Sequence, residues 1–353
     1  MKVLVTGATG VVGSNLVRAL LAAGHDVRVL ARPASDLRGL RGLSVERVEG
    51  DVLQADTLPP AVKGRAIVYH AAAVFSYWGM SPAQQTELAE RGTHNVLAAA
   101  RAARVRRVVV TSSSVTLGST ATPEVLDEAH GAAEPEPSAY TRSKLRQEET
   151  AFRLGAELGL DVVAVCPTLV IGPHDYRLSP SNANIVNYLN DPFRSTFLGG
   201  CNLVAAADVA AGHLLAGERG EPGARYVVGG ENLEWSDAHA LISRLAGTFG
   251  PSLVLNHTAS YLAAASAEAA ARLAGTRPVV TREEARMSAR YYWYSHARLR
   301  RLGYAPVAAR HALADALAWL LLRSYVADSV ASRLKLAPEV RKARARLAPQ
   351  AVA

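Results

Sequence analysis

Tyr140 and Lys144 stand four residues apart in the run Tyr140-Thr141-Arg142-Ser143-Lys144, a spacing that places both on one face of a helix, one turn apart. An ammonium beside a phenol favours the phenolate and draws the tyrosine's proton affinity toward the range where it serves as acid or base. Chance accounts poorly for the pair: twelve tyrosines and five lysines in 353 residues give about 0.17 such spacings. Upstream, Val108-Val109-Val110-Thr111-Ser112-Ser113-Ser114 ends an apolar strand in hydroxyls, where an open parallel sheet exposes its ligand crevice. One of these serines can hydrogen-bond a substrate oxygen, while Ser114, and in part Ser112, also suit a turn at a strand end.

The loop Thr6-Gly7-Ala8-Thr9-Gly10-Val11-Val12-Gly13 follows a first strand and opens a helix. In that setting the glycines allow a tight turn and a close approach of backbone to a pyrophosphate, which the helix N-terminus meets with free amides and partial positive charge. Loop and tyrosine together point to hydride transfer between a nicotinamide and a carbon bearing oxygen. After the second strand the chain reads Val29-Leu30-Ala31-Arg32-Pro33, without the carboxylate that suits an unphosphorylated ribose. Arg32 is instead placed to pair with a 2′-phosphate, so NADP(H) is the expected cofactor and NAD(H) the alternative. Asp51 and Val52, after the third strand, are expected to border the adenine, and the small Ala71, Ala72 and Ala73, after the fourth, to pass close to the cofactor.

Short β-branched runs at 3–6, 27–31, 67–70, 108–112 and 162–166 alternate with helical stretches at 14–23, 84–103 and 140–158, which predicts a doubly wound parallel α/β sheet of Rossmann type. Leu16, Val17, Leu20 and Leu21 share a face of the first helix, and Gly24 can end it. The expected organisation is a dinucleotide-binding domain over 1–172, to which some later elements return. A smaller, mainly helical substrate lobe over 173–330 and a basic extension over 331–353 complete it. The stretch 179–192, rich in Asn and Pro, reads as loop. Tyr176, Asn184, Tyr188 and the earlier Phe75 and Ser114 are candidate substrate contacts, with Tyr188, Phe193 and Phe197 forming a wall suited to a little-charged, lipophilic molecule. The cluster Tyr291-Tyr292-Trp293-Tyr294 reads as core rather than pocket.

Composition is that of an ordinary globular protein, 49% hydrophobic. Net charge is +8, of which +5 lies in 331–353. The rest is nearly neutral and carries no nucleic-acid-binding motif. The apolar helix at 312–326 is too short to span a bilayer, and the basic segment after it reads as a solvated extension, with a peripheral membrane contact as the alternative. Cys166 and Cys201 lack metal or disulfide spacing and read as small buried hydrophobes, and with no leader-like N-terminal segment they indicate a cytoplasmic setting.

With these pieces in place, the chain resembles the extended short-chain dehydrogenase/reductase family of NAD-dependent epimerases and dehydratases. The resemblance is carried by TGxxGxxG at 6–13, an acid after strand three, serines after strand five, YxxxK at 140–144, and Pro167-Thr168 followed by Gly172-Pro173. The runs 202–213 and 226–232 are similar to the branch holding dihydroflavonol-reductase-like proteins and the hopanoid-associated sugar epimerases. The resemblance implies Ser113 as catalytic serine, Tyr140 as acid/base, and Lys144 as its partner that also holds the nicotinamide ribose. Ser112, Pro167 and Thr168 would lie along the cofactor. A small-molecule carbonyl or alcohol substrate and a possible homodimer follow from the same likeness. Ala89 and Cys166 depart from the asparagines that the family's sugar epimerases usually carry, which bears against sugar epimerisation. The reading is a carbonyl reductase or alcohol dehydrogenase, with a nucleotide-sugar epimerase or dehydratase as the first alternative and a non-catalytic dinucleotide sensor as the second.

Overall fold

Strand residues that alternate between two buried faces build the first lobe. In β1 (Lys2–Thr6), Val3 and Val5 enter one core and Leu4 the other; in β5 (Arg107–Thr111), Val109 opposes Val108 and Val110. Strands apolar on both faces belong in a parallel sheet covered on both sides. The computed structural model, which describes residues 1–73, 80–132, 137–276, 278, 280–287 and 289–352, shows such a sheet. Joining β1 and β5 are β2 (Asp26–Ala31), β3 (Glu46–Glu49), β4 (Ile67–His70), β7 (Asp161–Pro167) and β11 (Arg225–Val228). The order is β3-β2-β1-β4-β5-β7-β11, all parallel. Strand order reverses between β1 and β4, which opens a crevice at the carboxyl ends of the strands.

Helices α1 (Val11–Ala22) and α6 (Ala206–Arg219) cover one face, and α2 (Leu58–Val62), α3 (Pro82–Ala102) and α4 (Ala139–Leu158) the other. Helix α1 begins three residues earlier than its apolar periodicity implies, because Gly10 is its N-cap. It ends where Gly24 takes φ +76° and the amides of Gly24 and His25 turn back to the carbonyls of Leu21 and Leu20. After residue 172 the chain returns to this lobe through α6, β11 and the short α10 (Ala297–Arg300), whose Leu299 is buried beside α6.

The second lobe packs around Trp319 of α11 (Ala309–Leu322), with α5 (Pro180–Asn190), α7 (Trp235–Ala246) and α13 (Pro338–Val352) against it. A three-stranded sheet joins β8 (Leu169–Ile171), β10 (Gly200–Ala205) and β12 (Glu231–Glu234); two strand pairs join β6 (Val125–Leu126) to β14 (Trp293–Tyr294) and β9 (Ser195–Phe197) to β13 (Leu253–Leu255). Helices α8 (His257–Ala274), α9 (Arg282–Arg286) and α12 (Asp328–Ala331) complete the lobe. The aromatic cluster at 291–294 is structural, with Tyr294 buried and its hydroxyl donating to the Gly118 carbonyl at 2.6 Å.

Two expectations are corrected. The stretch 179–192 is mostly helix α5, capped by Ser179, and its Asn residues do tertiary work: buried Asn182 bonds the Gly172 amide at 3.2 Å, the Gly172 carbonyl at 2.9 Å and Asp175 at 2.9 Å. The basic segment is no free extension. Its α13 buries Val340, Ala343 and Leu347 against α11 while Arg341, Lys342, Arg344 and Arg346 stay exposed, and Arg310 pairs with Glu339 at 2.8 Å. The lobes are latched together as well: Ser14 and Asn15 of α1 donate to the carbonyls of His174 (2.9 Å) and Pro173 (3.0 Å).

Candidate active site

The glycine loop leaves β1 at Thr6, whose hydroxyl lies 2.8 Å from His70 Nδ1 and accepts the Ala72 amide at 3.3 Å. Gly7 sits at φ +71°, and a Cβ there would lie 2.5 Å from the Ala71–Ala72 backbone. At Gly13 a Cβ would come within 2.2 Å of the Gly7 carbonyl oxygen. Gly10 differs: its Cβ would meet nothing closer than 3.6 Å, so the space before α1 is open. The first-turn amides of Val11, Val12 and Gly13 have no intrahelical acceptor, and no acid occupies that turn. Such an opening fits a dinucleotide's diphosphate.

Beyond β2, Arg32 is exposed with its amide bonded to Ser35 Oγ at 3.1 Å. The nearby carboxylate of Asp36 is engaged by Arg38 at 2.6 Å, which holds that carboxyl down at about 2. Asp51 accepts the Leu53 amide at 3.0 Å, and the Val52 carbonyl accepts Asn95 Nδ2 at 2.9 Å, fixing that turn on α3.

The hydroxyl-bearing turn after β5 and helix α4 meet at the crevice. Ser113 Oγ caps the short turn 114–117 and is hydrogen-bonded with the Tyr140 phenol. Burial raises the proton affinity of Tyr140, and the Ser113 bond partly offsets this. The direction is thus opposite to the downward shift expected from the sequence. One turn on, Lys144 is 4% exposed; its Nζ donates to the Thr111 carbonyl at 3.0 Å and to Gln147 Oε1 at 2.9 Å. Burial draws Lys144 down to about 8, against the opposing charge of Glu148.

The remaining predicted residues have defined surroundings. Ser112 turns its hydroxyl away from the crevice to Glu148, because its position alternates with Ser113. The Thr168 hydroxyl donates to Asn202 Oδ1 at 2.8 Å, and Pro167 ends β7. Tyr176 and Tyr188 are both buried, Tyr176 edge-on to Trp319 and Tyr188 stacked on His239 at 4.3 Å with its hydroxyl 2.7 Å from Ser243 Oγ. Asn184 approaches His239 at 3.4 Å, Ser114 is buried, and Phe75 lies outside the described residues.

Three residues were not assigned to this site from the sequence. His70, at the end of β4, is buried and held neutral, its proton affinity lowered to about 3 by burial and by Lys144. Arg177 crosses from the second lobe and donates to Thr9 Oγ1 in the glycine loop. Glu283 of α9 accepts the Ala139 amide at the N-terminus of α4, next to Tyr140. The nearest sequence signal was a polar residue at the end of an apolar strand, for His70.

Sheet, loop and helix together define a dinucleotide-binding enzyme of the Rossmann type. The chain belongs to the NAD dependent epimerase/dehydratase family, which it matches over residues 3–229. It is 34% identical over 328 residues to a dihydroflavonol 4-reductase-like protein of Synechocystis sp., covering 91% of this chain and 95% of that one. It is also 34% identical to sterol demethylase protein B of Methylococcus capsulatus, covering 92% and 100%. The crystal structure of gox2253 superposes with a TM-score of 0.81 at 36% identity, over 92% of this chain and 99% of that one. The protein is an NAD(P)-dependent oxidoreductase of the extended short-chain dehydrogenase/reductase type.

Proposed function

We propose that this protein uses NADPH to reduce a ketone or aldehyde on a little-charged, lipophilic substrate, with Ser113, Tyr140 and Lys144 as its catalytic residues. The observation that carries the reading is the Ser113–Tyr140 hydroxyl contact, with a phenol that burial keeps protonated. A bound reduced nicotinamide supplies the hydride to the carbonyl carbon. Ser113 donates a hydrogen bond to the oxygen as it gains charge, and Tyr140 transfers its proton to that oxygen. Lys144, one turn along α4, stabilises the tyrosinate that remains. The reverse oxidation uses the same groups.

Arg32 supports NADPH, since its guanidinium is exposed at the end of β2 while the neighbouring acid is engaged by Arg38. A reductive role is supported by the reductase name of the Synechocystis relative, and a lipophilic substrate by the sterol in the name of the Methylococcus relative. Arg177, with its guanidinium on the cofactor loop, is withdrawn from the set of cations that a nucleotide sugar's diphosphate needs. The test is to incubate the protein with NADPH or NADH and a panel of ketones, aldehydes and nucleotide sugars. Net oxidation of NADPH by a ketone or aldehyde is expected; isomerisation of a sugar without net oxidation would instead identify an epimerase, and binding without turnover a sensor.

A further inference from the structure

Helix α4 carries a third residue on the face that presents Tyr140 and Lys144. Glu148 stands one turn beyond Lys144 and is 6% exposed. Its Oε2 accepts the Ser112 hydroxyl, the Thr116 hydroxyl at 3.2 Å and the Cys166 thiol at 3.7 Å; its Oε1 pairs with Arg225 Nη1 at 3.1 Å. Arg225, on β11, donates onward to the carbonyls of Glu128 (2.9 Å) and His130. A carboxylate this deep is costly unless its lone pairs are satisfied and its charge is matched. Here both conditions are met.

The partners of Glu148 bracket Ser113. Ser112 precedes it, and Thr116, three residues on, donates to the Ser113 carbonyl at 2.9 Å as well as to Glu148. The turn bearing the serine is thereby tied to the helix bearing the tyrosine through one carboxylate. We propose that Glu148 is the positioning residue of this site: it fixes the Ser112–Thr116 turn on α4 so that the Ser113 and Tyr140 hydroxyls meet, and it sets its negative charge beside Lys144. The proposal rests on the Ser-Tyr-Lys reductase reading. Among the described residues, the titratable groups around Lys144 are Tyr140 and Glu148 on α4, His70 on β4 and Cys166 on β7, with Arg225 on β11 behind Glu148. Of these, His70 and Cys166 are held neutral, because burial lowers the one and raises the other. Glu148 is the anion of the set, and it opposes the burial that pulls Lys144 down to about 8.

The test compares Glu148→Gln, Glu148→Asp and Ser112→Ala with wild type and with Tyr140→Phe, measuring kcat and KM against pH, NADPH binding at about pH 6, and thermal unfolding. Wild-type turnover that Tyr140→Phe abolishes establishes the underlying reading; its absence sinks that reading and not the positioning argument alone. For Glu148→Gln, kcat is expected to fall at least about tenfold with KM little changed. Its alkaline limb is expected to shift to lower pH, since removing the anion leaves burial less opposed. Glu148→Asp restores the position of the limb but not the full kcat, and Ser112→Ala lowers kcat without moving the limb. A Glu148→Gln enzyme with wild-type kcat and limb overturns the proposal, as does a loss of activity that merely follows loss of folded protein with the limb in place. If Glu148→Gln does not fold, a Ser112→Ala enzyme with unchanged kcat overturns it.

Discussion

At the scale of single residues, the site is governed by what burial does to two proton-carrying groups. The Tyr140 phenol is held protonated and Lys144 is drawn down to about 8, so a reduction in which Tyr140 is the acid and Lys144 the supporting cation is expected to lose rate as pH rises through about 8. A kcat/KM profile checks this; an alkaline limb two or more units higher would contradict the assignment to Lys144. Tyr140→Phe removes the proton donor and is expected to lower kcat by about 10²–10⁴-fold while leaving NADPH affinity near wild type. Arg32→Ala is expected to raise the KM for NADPH by roughly tenfold and to leave that for NADH unchanged. Equal effects on both cofactors would remove the 2′-phosphate from the account.

Tyr140 and Lys144 stood out in the sequence by their four-residue spacing, and the strand end marked the serines at 112–114, among which the family resemblance selected Ser113. Glu148 was not singled out, although it continues the four-residue step from Tyr140 and Lys144, because its role depends on Ser112, Thr116 and Arg225, which only folding brings to it. Arg177 was not legible as a partner of the glycine loop, because nothing in its own segment shows that residue 9 lies beside it.

At the scale of elements, the glycine loop is where a single added methyl group is most informative. A Cβ at residue 13 would come within 2.2 Å of the Gly7 carbonyl oxygen, so Gly13→Ala must push α1 from the loop. NADPH binding is expected to weaken at least about tenfold, because the first-turn amides leave their aim. Fluorescence titration checks this, and unaltered affinity would contradict the packing. The strands and the helices on the first sheet were readable from periodicity, since strands buried on both faces leave continuous apolar runs. Helix α5 and the packed α13 were not: Asn182 favours loops by local propensity and is overruled by bonds to Gly172 and Asp175, and the charges of 341–346 mask a stripe of Val340, Ala343 and Leu347. Leu347→Ala is accordingly expected to destabilise the protein by about 2–4 kcal/mol in denaturant unfolding, where a solvated tail would show no change.

At the scale of the whole molecule, the second lobe reaches the first at two points, Arg177 on the glycine loop and Glu283 at the N-terminus of α4. Four buried histidines, His70, His174, His213 and His239, are held neutral, the first two lowered to about 3 and the others to about 4. Each binds its proton more readily in the unfolded chain, so stability is expected to fall as pH drops from about 6.5 toward 4, at up to ~1.4 kcal/mol per pH unit for each group. Denaturant midpoints at several pH values check the sign; stability that rises on acidification would contradict it.

The most direct test of the central claim follows the hydride itself. With NADPH deuterated at the transferred position and a ketone or aldehyde substrate, the account predicts one deuterium on the carbinol carbon for each NADPH consumed, formed about 10²–10⁴-fold more slowly with Tyr140→Phe. Product without deuterium, or sugar isomerisation with no net loss of NADPH, would contradict it.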